Sequence, residues 1–468
     1  MEQKNVRLFP AVLATGIMSF AGVLIETAMN VTFPTLTKEF GVSTGTVQWV
    51  TTIYLLVISI MVPLSNYLLK TYSLRRLFIV ANLFFLIGLA IDVYSPSFSI
   101  LLLGRLFQGA STGIALPLMF HIILNFTPLE KRGTMMGVGT LTTSIAPAIG
   151  PTYGGILTSS LSWHAIFLFL IPILLLSLFM GLSAIPEIPV KKTTTLDLVS
   201  LIGIALLFSG LLMFLSKIGT LFGWLSLLAA VIGFVIFYKR ATTAEQPLVR
   251  LTILKNPAFV LFLCGFLVCQ FLLLGISFVL PNFVQIVLGK NAFVAGLVML
   301  PGATVGAILA PLSGRVLDQY GAKKPILFGL SLATIGWLAL TILLEMPVLL
   351  GFVAGHVTYM IGLGFAYSNM MTTGMSLLEE KDFGDGNTLF NTLQQFSGAI
   401  ATAIVATIIN IAQDHADNFA QGTTMGSLIS LIFLLTLLVI VLIACWNYFR
   451  KKLKKKQLVS SIVTSCFF

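Results

Sequence analysis

Residues 9–33 read FPAVLATGIMSFAGVLIETAMNVTF, an apolar run in which Glu26 is the only charged side chain. A helix that crosses a bilayer needs about 20 such residues. A charge near the centre of that helix costs at least ~2.5–3.5 kcal/mol, so it is retained where it faces a partner or a water-filled path. Glu26 is therefore a candidate functional residue. The run is too long for the apolar part of a cleaved signal peptide and lacks a small-residue cleavage site, so we expect it to remain in the mature protein.

The composition is that of a membrane protein with many spans. Of the 468 residues, 57% are hydrophobic and only 9% are charged, whereas a soluble domain has about 25% charged residues. The net charge of +11 lies in short loops and a terminal cluster, which is not the pattern of a nucleic-acid-binding surface. The sequence contains no Walker loop, nucleophile elbow, Rossmann loop or zinc-binding cysteine and histidine spacing. We therefore expect neither an enzyme nor a cofactor or metal.

Fourteen segments are candidate crossing helices in an all-α membrane fold. They lie near residues 9–33, 46–69, 76–95, 98–124, 133–158, 163–184, 197–216, 219–238, 258–282, 294–314, 325–344, 348–376, 384–411 and 424–449. Their spacing predicts an N-terminal six-helix bundle (1–185), two linker helices with basic flanks (186–257), a C-terminal six-helix bundle (258–449) and a basic tail (450–468). The basic, proline-containing stretches Pro186–Thr195 and Lys239–Pro257 are the predicted connections.

Lysine and arginine are distributed unevenly between the two predicted sides. The predicted outer loops contain only Lys38, Lys217 and Lys290, while all other basic residues except the intramembrane Arg105 fall on the inner side, including the tail cluster RKKLKKK at 450–456. Cytoplasmic loops carry such an excess of positive charge, so we expect both termini in the cytoplasm and the protein in the cell membrane. The tail cluster is suited to anionic lipid headgroups.

Two loops have related sequences. Residues 314–324 read GRVLDQYGAKK and residues 66–76 read NYLLKTYSLRR, with the aromatic and the final basic pair in the same phase. Parallel repeats with a site at their interface are a transporter architecture.

Six motifs identify a family resemblance. In chain order they are Glu26-Thr-Ala-Met-Asn30-Val-Thr-Phe-Pro34, Gln48-Trp49-Val-Thr-Thr-Ile-Tyr54, Arg105-Leu-Phe-Gln108-Gly109, Ala146-Pro147-Ala-Ile-Gly150-Pro151-Thr-Tyr-Gly154-Gly155, Trp163-His164-Ala-Ile-Phe167 and Gly386-Asn387-Thr388-Leu389-Phe390-Asn391-Thr392-Leu393-Gln394-Gln395. The chain resembles the major facilitator superfamily, specifically its fourteen-helix drug:proton antiporter branch of multidrug efflux proteins. The resemblance implies two six-helix bundles plus two linking helices, alternating access, and protons as the coupling ion.

The first cytoplasmic motif departs from the family. The resemblance implies Gly, Asp and Gly where this chain has Asn66, Lys70 and Ser73. The second copy keeps the expected residues, which we assign to gating: Gly314, Asp318 and Gly321. Helix 5 supplies the other predicted gating residues, Pro147, Gly150, Pro151, Gly154 and Gly155. Bending during transport and close packing alone both account for them.

Glu26 and Arg105 are the predicted proton-coupling pair. At ~1.5 Å per residue, both side chains lie roughly 10 Å below the outer surface, and they can meet if helices 1 and 4 are neighbours, as the resemblance implies. The alternative is a structural ion pair that locks the bundle. Asn30 and Gln108 lie on the same helix faces as Glu26 and Arg105, where they serve either substrate or packing.

The remaining polar residues divide into substrate candidates and structural ones. The substrate-binding candidates are Glu26, Asn30, Tyr54, Gln108, Asn282, Tyr359, Tyr367, Asn391, Gln394 and Gln395. We expect Asp92 to reach the membrane interface, Asp197 and Asp385 to cap helices, and His121 and His356 to be satisfied packing residues. Cys264, Cys269 and Cys445 are expected to be small buried hydrophobes.

The sequence thus predicts a monomeric antiporter that exports lipophilic, mainly cationic drugs in exchange for protons. Its expected partners are small lipophilic substrates, protons and membrane lipids, and not nucleic acid. Two alternatives stay open, which are an exporter of one metabolite or lipid with the same fold and a non-transporting membrane sensor.

Overall fold

The computed structural model describes residues 8–127, 129–187, 196–244 and 247–465, which form helices joined by short loops. The helices are α1 (Leu8–Phe40), α2 (Thr44–Val47), α3 (Trp49–Thr71), α4 (Leu74–Val93), α5 (Phe98–Phe126), α6 (Leu129–Ser160), α7 (Ala165–Leu168), α8 (Leu170–Ala184), α9 (Leu198–Ser216), α10 (Leu221–Thr243), α11 (Pro257–Ile286), α12 (Ala292–Tyr320), α13 (Lys323–Leu343), α14 (Leu349–Met375), α15 (Phe383–Asp414) and α16 (Phe419–Ser465). Short 3₁₀ turns occupy Leu251–Lys255 and Glu380–Asp382.

Thirteen spans in the described part of the chain are long and apolar enough to cross a membrane, with α2–α3 and α7–α8 each counted as one interrupted span. With the long helix α6 the number is fourteen, as the sequence predicts. α6 is the least apolar of these helices because glycine, threonine, serine and proline make up much of it.

The helices form two bundles and a separate hairpin. α1–α8 make the N-terminal bundle and α11–α16 the C-terminal bundle. α9 and α10 pack against each other through close approaches at Gly203 and Gly210. α9 also contacts both bundles, because Phe208 stacks on Phe396 of α15 at 3.8 Å and Ser216 accepts a hydrogen bond from Gln48 at 3.4 Å. The hairpin therefore covers the junction between α3 and α15.

The two bundles are joined at one face, here called the far face, where α1 ends and α12 begins. Gln285 Nε2 of α11 donates to the carbonyl oxygen of Val31 at 2.8 Å, and the amide of Gly45 donates to Asn410 Oδ1 at 3.1 Å. Thr152 of α6 donates to a carbonyl of α12 at 3.3 Å. The opposite face, which carries the start of α1 and the end of α16, is called the near face.

Several boundary predictions need correction. α10 continues to Thr243 and α16 continues to Ser465, so the predicted second connection and the basic tail are partly helical. Residues 188–195 of the predicted first connection lie outside the described residues. Cys466, near the end of the chain, also lies outside them. Cys269 and Cys445 are buried as expected, but Cys264 is exposed on the helix surface.

Asp197 caps α9 as predicted, since its Oδ1 accepts a hydrogen bond from the amide of Ser200 at 3.1 Å. Burial raises the pKa of Asp197, but the hydrogen bonds from Ser200 and the charge of Arg240 outweigh it, so the pKa lies below its usual range. Asp385 opens α15 as predicted, but it does not cap the helix, because Asp382 occupies the cap position. Asp385 lies within the first turn and instead accepts a hydrogen bond from the backbone amide of Arg250 at 3.2 Å.

Candidate functional site

Arg105 is the centre of a polar cluster inside the N-terminal bundle. It lies on α5 and has no exposed surface. Its Nε donates to the carbonyl oxygen of Val50 at 3.0 Å, its Nη1 donates to Gln108 Oε1 at 2.6 Å, and its guanidinium carbon lies 4.1 Å from the ring centre of Tyr54. Nη2 has no hydrogen-bond partner among the described residues. The guanidinium is thus fixed on one side and available on the other.

Glu26 lies on α1, which packs against α5, and 7% of its surface is exposed. None of the hydrogen bonds or ion pairs in the described part of the chain involves its carboxylate. It interacts electrostatically with Arg105 of its own bundle and with Tyr367 of the other. The helices are neighbours as predicted, but Glu26 and Arg105 do not form an ion pair within 4.0 Å in this conformation.

Two other predicted residues complete the lining on the N-terminal side. Asn30, one turn after Glu26, accepts a hydrogen bond from Thr51 at 2.9 Å, and its Nδ2 has no partner among the described residues. The hydroxyl of Tyr54 donates to Thr112 at 2.8 Å. Neither threonine was singled out from the sequence, because a hydroxyl that bonds within a helix is common in membrane proteins.

Asp92 contradicts the prediction that it reaches the membrane interface. It has no exposed surface, although it lies close to the end of α4. Its Oδ2 accepts a hydrogen bond from Gln108 Nε2 at 2.8 Å, while Oδ1 has no hydrogen-bond partner among the described residues and lies against Gly104 of α5. Because Gly104 has no side chain, α4 and α5 approach closely enough to enclose the carboxylate.

The C-terminal bundle contributes uncharged polar groups. The hydroxyl of Tyr367 on α14 donates to Gln270 Oε1 at 2.5 Å and accepts from Gln394 Nε2 at 2.7 Å. The Tyr367 ring stacks on Phe266 with centroids 4.5 Å apart. Gln270 was missed by sequence reasoning, although a buried amide in the apolar helix Pro257–Ile286 is a usable signal.

Four predicted substrate-binding residues lie elsewhere or bond locally. Asn282 donates to the carbonyl of Phe278 in its own helix at 2.7 Å, and Asn391 donates to the carbonyl of Asn387 at 2.8 Å. Tyr359 is fully buried against Trp337, with ring centroids 5.0 Å apart. Gln395 is half-buried and makes none of the hydrogen bonds in the described part of the chain.

The two intramembrane histidines differ in their surroundings. His121 is half-buried. His356 is fully buried against Gly302, and its Nδ1 has no hydrogen-bond partner among the described residues. The prediction of a satisfied packing residue is therefore wrong for His356.

The predicted gating residues of α6 lie at close helix contacts. Gly150 packs on Thr27, and Gly154 packs on the backbone of Ala28, both within the N-terminal bundle. Gly155 packs on the backbone of Ala292 in the other bundle. α6 is continuous through Pro147 and Pro151, so close packing is observed and bending stays a prediction.

The second copy of the loop motif lies at the near face. Gly321 ends α12 with φ at 74°, a conformation that favours glycine. A Cβ at Gly314 would meet no atom within 4 Å. Asp318 takes part in none of the ion pairs of the described residues. In the first copy, the side chain of Asn66 lies outside the described residues. The gating role of Gly314, Asp318 and Gly321 stays a prediction.

Comparison with known proteins agrees with this architecture. The family description of the Major Facilitator Superfamily matches residues 15–402. The lincomycin resistance protein LmrB of Bacillus subtilis (strain 168) is 34% identical over 468 residues, which cover 96% of this chain and 97% of the relative. The riboflavin transporter RibZ of Clostridioides difficile (strain 630) is 25% identical over 426 residues, or 91% of this chain and 92% of the relative.

Solved structures show the same fold. A crystal structure of the nucleoside transporter NupG superimposes with a TM-score of 0.65 at 12% identity, covering 95% of this chain and 99% of the other. The family match covers most of the chain, the described residues form fourteen long helices, and the relatives are transporters rather than enzymes. This chain is a multi-pass membrane transporter that belongs to the Major Facilitator Superfamily.

Proposed function

We propose that the protein is a proton-coupled antiporter that exports lipophilic, mainly cationic compounds from the cell. The observation that carries this proposal is Glu26, a buried acid without a hydrogen bond or ion pair to the described residues. An ionised carboxylate is stable inside a protein only when it is paired or hydrogen-bonded. The states that satisfy Glu26 are therefore the protonated acid and the carboxylate paired with a cation.

Those two states exclude each other, which makes exchange obligatory. When a cationic substrate approaches from the near face, Glu26 gives up its proton and its carboxylate pairs with the substrate. When a proton arrives from the far face, the protonated acid no longer holds the cation, which leaves. Arg105 lies close enough to act on Glu26 electrostatically, so its position influences which of the two states is preferred.

The neutral groups of the C-terminal bundle suit a lipophilic substrate. Tyr367, Gln270 and Gln394 offer hydrogen-bonding groups, and Phe266 extends an aromatic surface beside them. Ligand sites are mostly apolar with a few placed polar groups. Since the chain is similar to a lincomycin resistance protein along nearly its whole length, lincomycin is a natural test compound.

The function is tested with purified protein in vesicles that carry an imposed pH gradient. Wild-type protein should drive uptake of ethidium or lincomycin into inside-out vesicles, and Glu26→Gln should abolish this pH-driven transport. Glu26→Asp is the matched control, because it keeps the acid with one methylene less and should retain transport. Persistence of pH-driven transport in Glu26→Gln means that the proton is carried elsewhere.

An exporter of one specific metabolite is the second candidate, favoured by the similarity to a riboflavin transporter. A panel that contains ethidium, lincomycin and riboflavin separates the two. Transport of ethidium and lincomycin supports a broad drug exporter, whereas transport of riboflavin alone supports the narrow one.

The proposed orientation places the near face in the cytoplasm of the cell and both termini inside. It follows from the basic residues at that face, since cytoplasmic loops carry an excess of lysine and arginine. We propose a monomer, in which the substrate path runs between the two bundles of a single chain.

A further inference from the structure

The buried charges of the N-terminal bundle do not balance. Among the buried residues in the described part of this bundle, the acids are Glu26 and Asp92, and the base is Arg105. If all three are ionised, one negative charge has no partner. An uncompensated buried charge costs several kcal/mol, and a group in that position takes up a proton instead. The neutral form of this set holds one proton on one of the two acids.

Gln108 connects the second acid to the base. Its Nε2 donates to Asp92 Oδ2 at 2.8 Å and its Oε1 accepts from Arg105 Nη1 at 2.6 Å. Arg105 fixes the amide orientation, because a guanidinium only donates, and Gln108 Nε2 is left to donate to Asp92. Since Asp92 receives this hydrogen bond and Glu26 receives none in the described part of the chain, we assign the negative charge to Asp92 and the proton to Glu26.

We propose that Glu26 and Asp92 share one exchangeable proton, and that Gln108 transmits the charge state of Asp92 to Arg105. This inference rests on the proposed exchange function and assigns to it a positioning residue, Asp92, outside the motif residues. When Asp92 takes up the proton, the negative charge that attracts Arg105 through Gln108 is lost. Arg105 is then drawn more strongly toward the carboxylate of Glu26.

The surroundings of Asp92 contain few other charges. α4 packs against α3, α5, α7 and α8. α7 and α8 contain no ionisable side chain, and His164, which precedes α7, stacks on Trp163 with centroids 3.6 Å apart. The only charge on α3 is Lys70, which lies at the near-face end of that helix. Arg105 on α5 is thus the charge that acts on Asp92.

Shared protonation also fixes the exchange ratio. When a monovalent cation pairs with Glu26, the O–H bond of the protonated acid breaks and the proton passes to water. The set then contains two negative and two positive charges and remains neutral. We expect about one proton released for each bound cation, since any other count leaves a net charge in the bundle.

The test is the number of protons released when ethidium binds to purified protein in weakly buffered detergent solution. Wild type should release about one proton at neutral pH. Asp92→Asn should release almost none and bind ethidium more weakly, because Arg105 alone then balances an ionised Glu26. Glu345→Gln removes an exposed acid of the far face and should behave as wild type. Asp92→Ser is the second variant, since its smaller side chain fits beside Gly104.

Infrared spectroscopy provides a second test of the shared proton that does not need ethidium. Infrared spectra at neutral pH should show the C=O band of a protonated carboxylic acid in wild type, and both Glu26→Gln and Asp92→Asn should lack it. A folded Asp92→Asn or Asp92→Ser protein that keeps this band, or still releases one proton, overturns the inference and leaves Glu26 as the sole site. Absence of proton release from wild type on ethidium binding contradicts the proposed function itself.

Discussion

Replacing Gly155 with alanine should open the far face of the protein without unfolding either bundle. Gly155 lies on α6 where it crosses α12 of the other bundle. A Cβ at this position would lie 2.5 Å from the carbonyl oxygen of Ala292, 3.0 Å from its carbonyl carbon and 3.1 Å from the Cα of Phe293. All three atoms belong to the backbone, so no change of rotamer relieves the contact. The bundles must separate locally.

The expected magnitude follows from the cost of overpacking. An extra carbon in a close-packed contact costs typically 1–3 kcal/mol. Because this contact joins the bundles only while the far face is closed, the cost falls on the closed state. A bias of that size changes the ratio of closed to open states by about 5- to 150-fold.

Two other glycines provide matched controls. Gly154→Ala places a Cβ against the backbone carbonyl oxygen of Ala28, which lies in the same bundle, so it should lower the thermal stability without opening the far face. Gly384→Ala meets nothing within 4 Å and should have no effect on either property.

The measurement is the distance between spin labels at two exposed far-face positions. Leu161 and Met346 suit this purpose, being 65% and 75% exposed and belonging to different bundles. With both changed to cysteine in a background without the native cysteines, wild type should give mainly the short distance and Gly155→Ala should add a longer one. An unchanged distance distribution in folded Gly155→Ala protein refutes the role of this contact in closure.

Two further substitutions test individual contacts. Arg105→Lys should lower pH-driven ethidium transport in vesicles at least about tenfold, because a lysine cannot replace both guanidinium hydrogen bonds. The loss of one hydrogen bond made by a charged group costs about 1.5–3 kcal/mol. Full activity would mean that charge alone suffices. Trp337→Phe should lower the free energy of unfolding by about 1–3 kcal/mol, since Trp337 is fully buried and its Nε1 donates to the carbonyl of Leu431 at 2.9 Å. Trp224→Phe, at a 57% exposed position, is the control. In thermal unfolding, Trp337→Phe should lose more stability than Trp224→Phe, and an equal loss of stability in the two proteins would contradict this explanation.

The helices and the first candidate residue could be predicted because the bilayer imposes simple rules. A run of about 20 apolar residues specifies a crossing helix almost without regard to its neighbours. A charge within such a run is costly enough to indicate function. Glu26 and Arg105 both satisfy this criterion, and both are buried in the N-terminal bundle. Their roles in proton coupling stay predictions.

For Asp92, the position along the helix does not predict whether the side chain is buried. Counted along α4, it lies two residues from Tyr94 and should reach the interface. Its burial depends on α5, where Gly104 leaves room for the carboxylate and Gln108 supplies a donor. The sequence contains both residues, but a single sequence does not show that they face Asp92.

The C-terminal bundle was harder to predict because its polar residues are uncharged. An amide in a membrane helix can bond to its own backbone, as Asn391 does, or reach across to another helix, as Gln394 does. The two are only three positions apart on α15 and lie close to the same helix face, so which partner each finds depends on the helix packed opposite. When nearly every face of a helix is apolar, periodicity does not reveal which face is turned inward.

The two bundles differ in buried charge, and this difference matters for how one protein can both exchange protons and carry many different compounds. The buried carboxylates and the guanidinium lie in the N-terminal bundle, while the described part of the C-terminal bundle facing Glu26 offers the Tyr367 hydroxyl and its amide partners. Charge pairs demand a defined distance, whereas aromatic faces and amides accept many orientations of a ligand. Under the proposed function, substitutions of Gln270 or Gln394 should therefore alter which compounds are carried while proton exchange at Glu26 continues. Substitutions of Asp92 or Arg105 should instead weaken coupling for every compound alike.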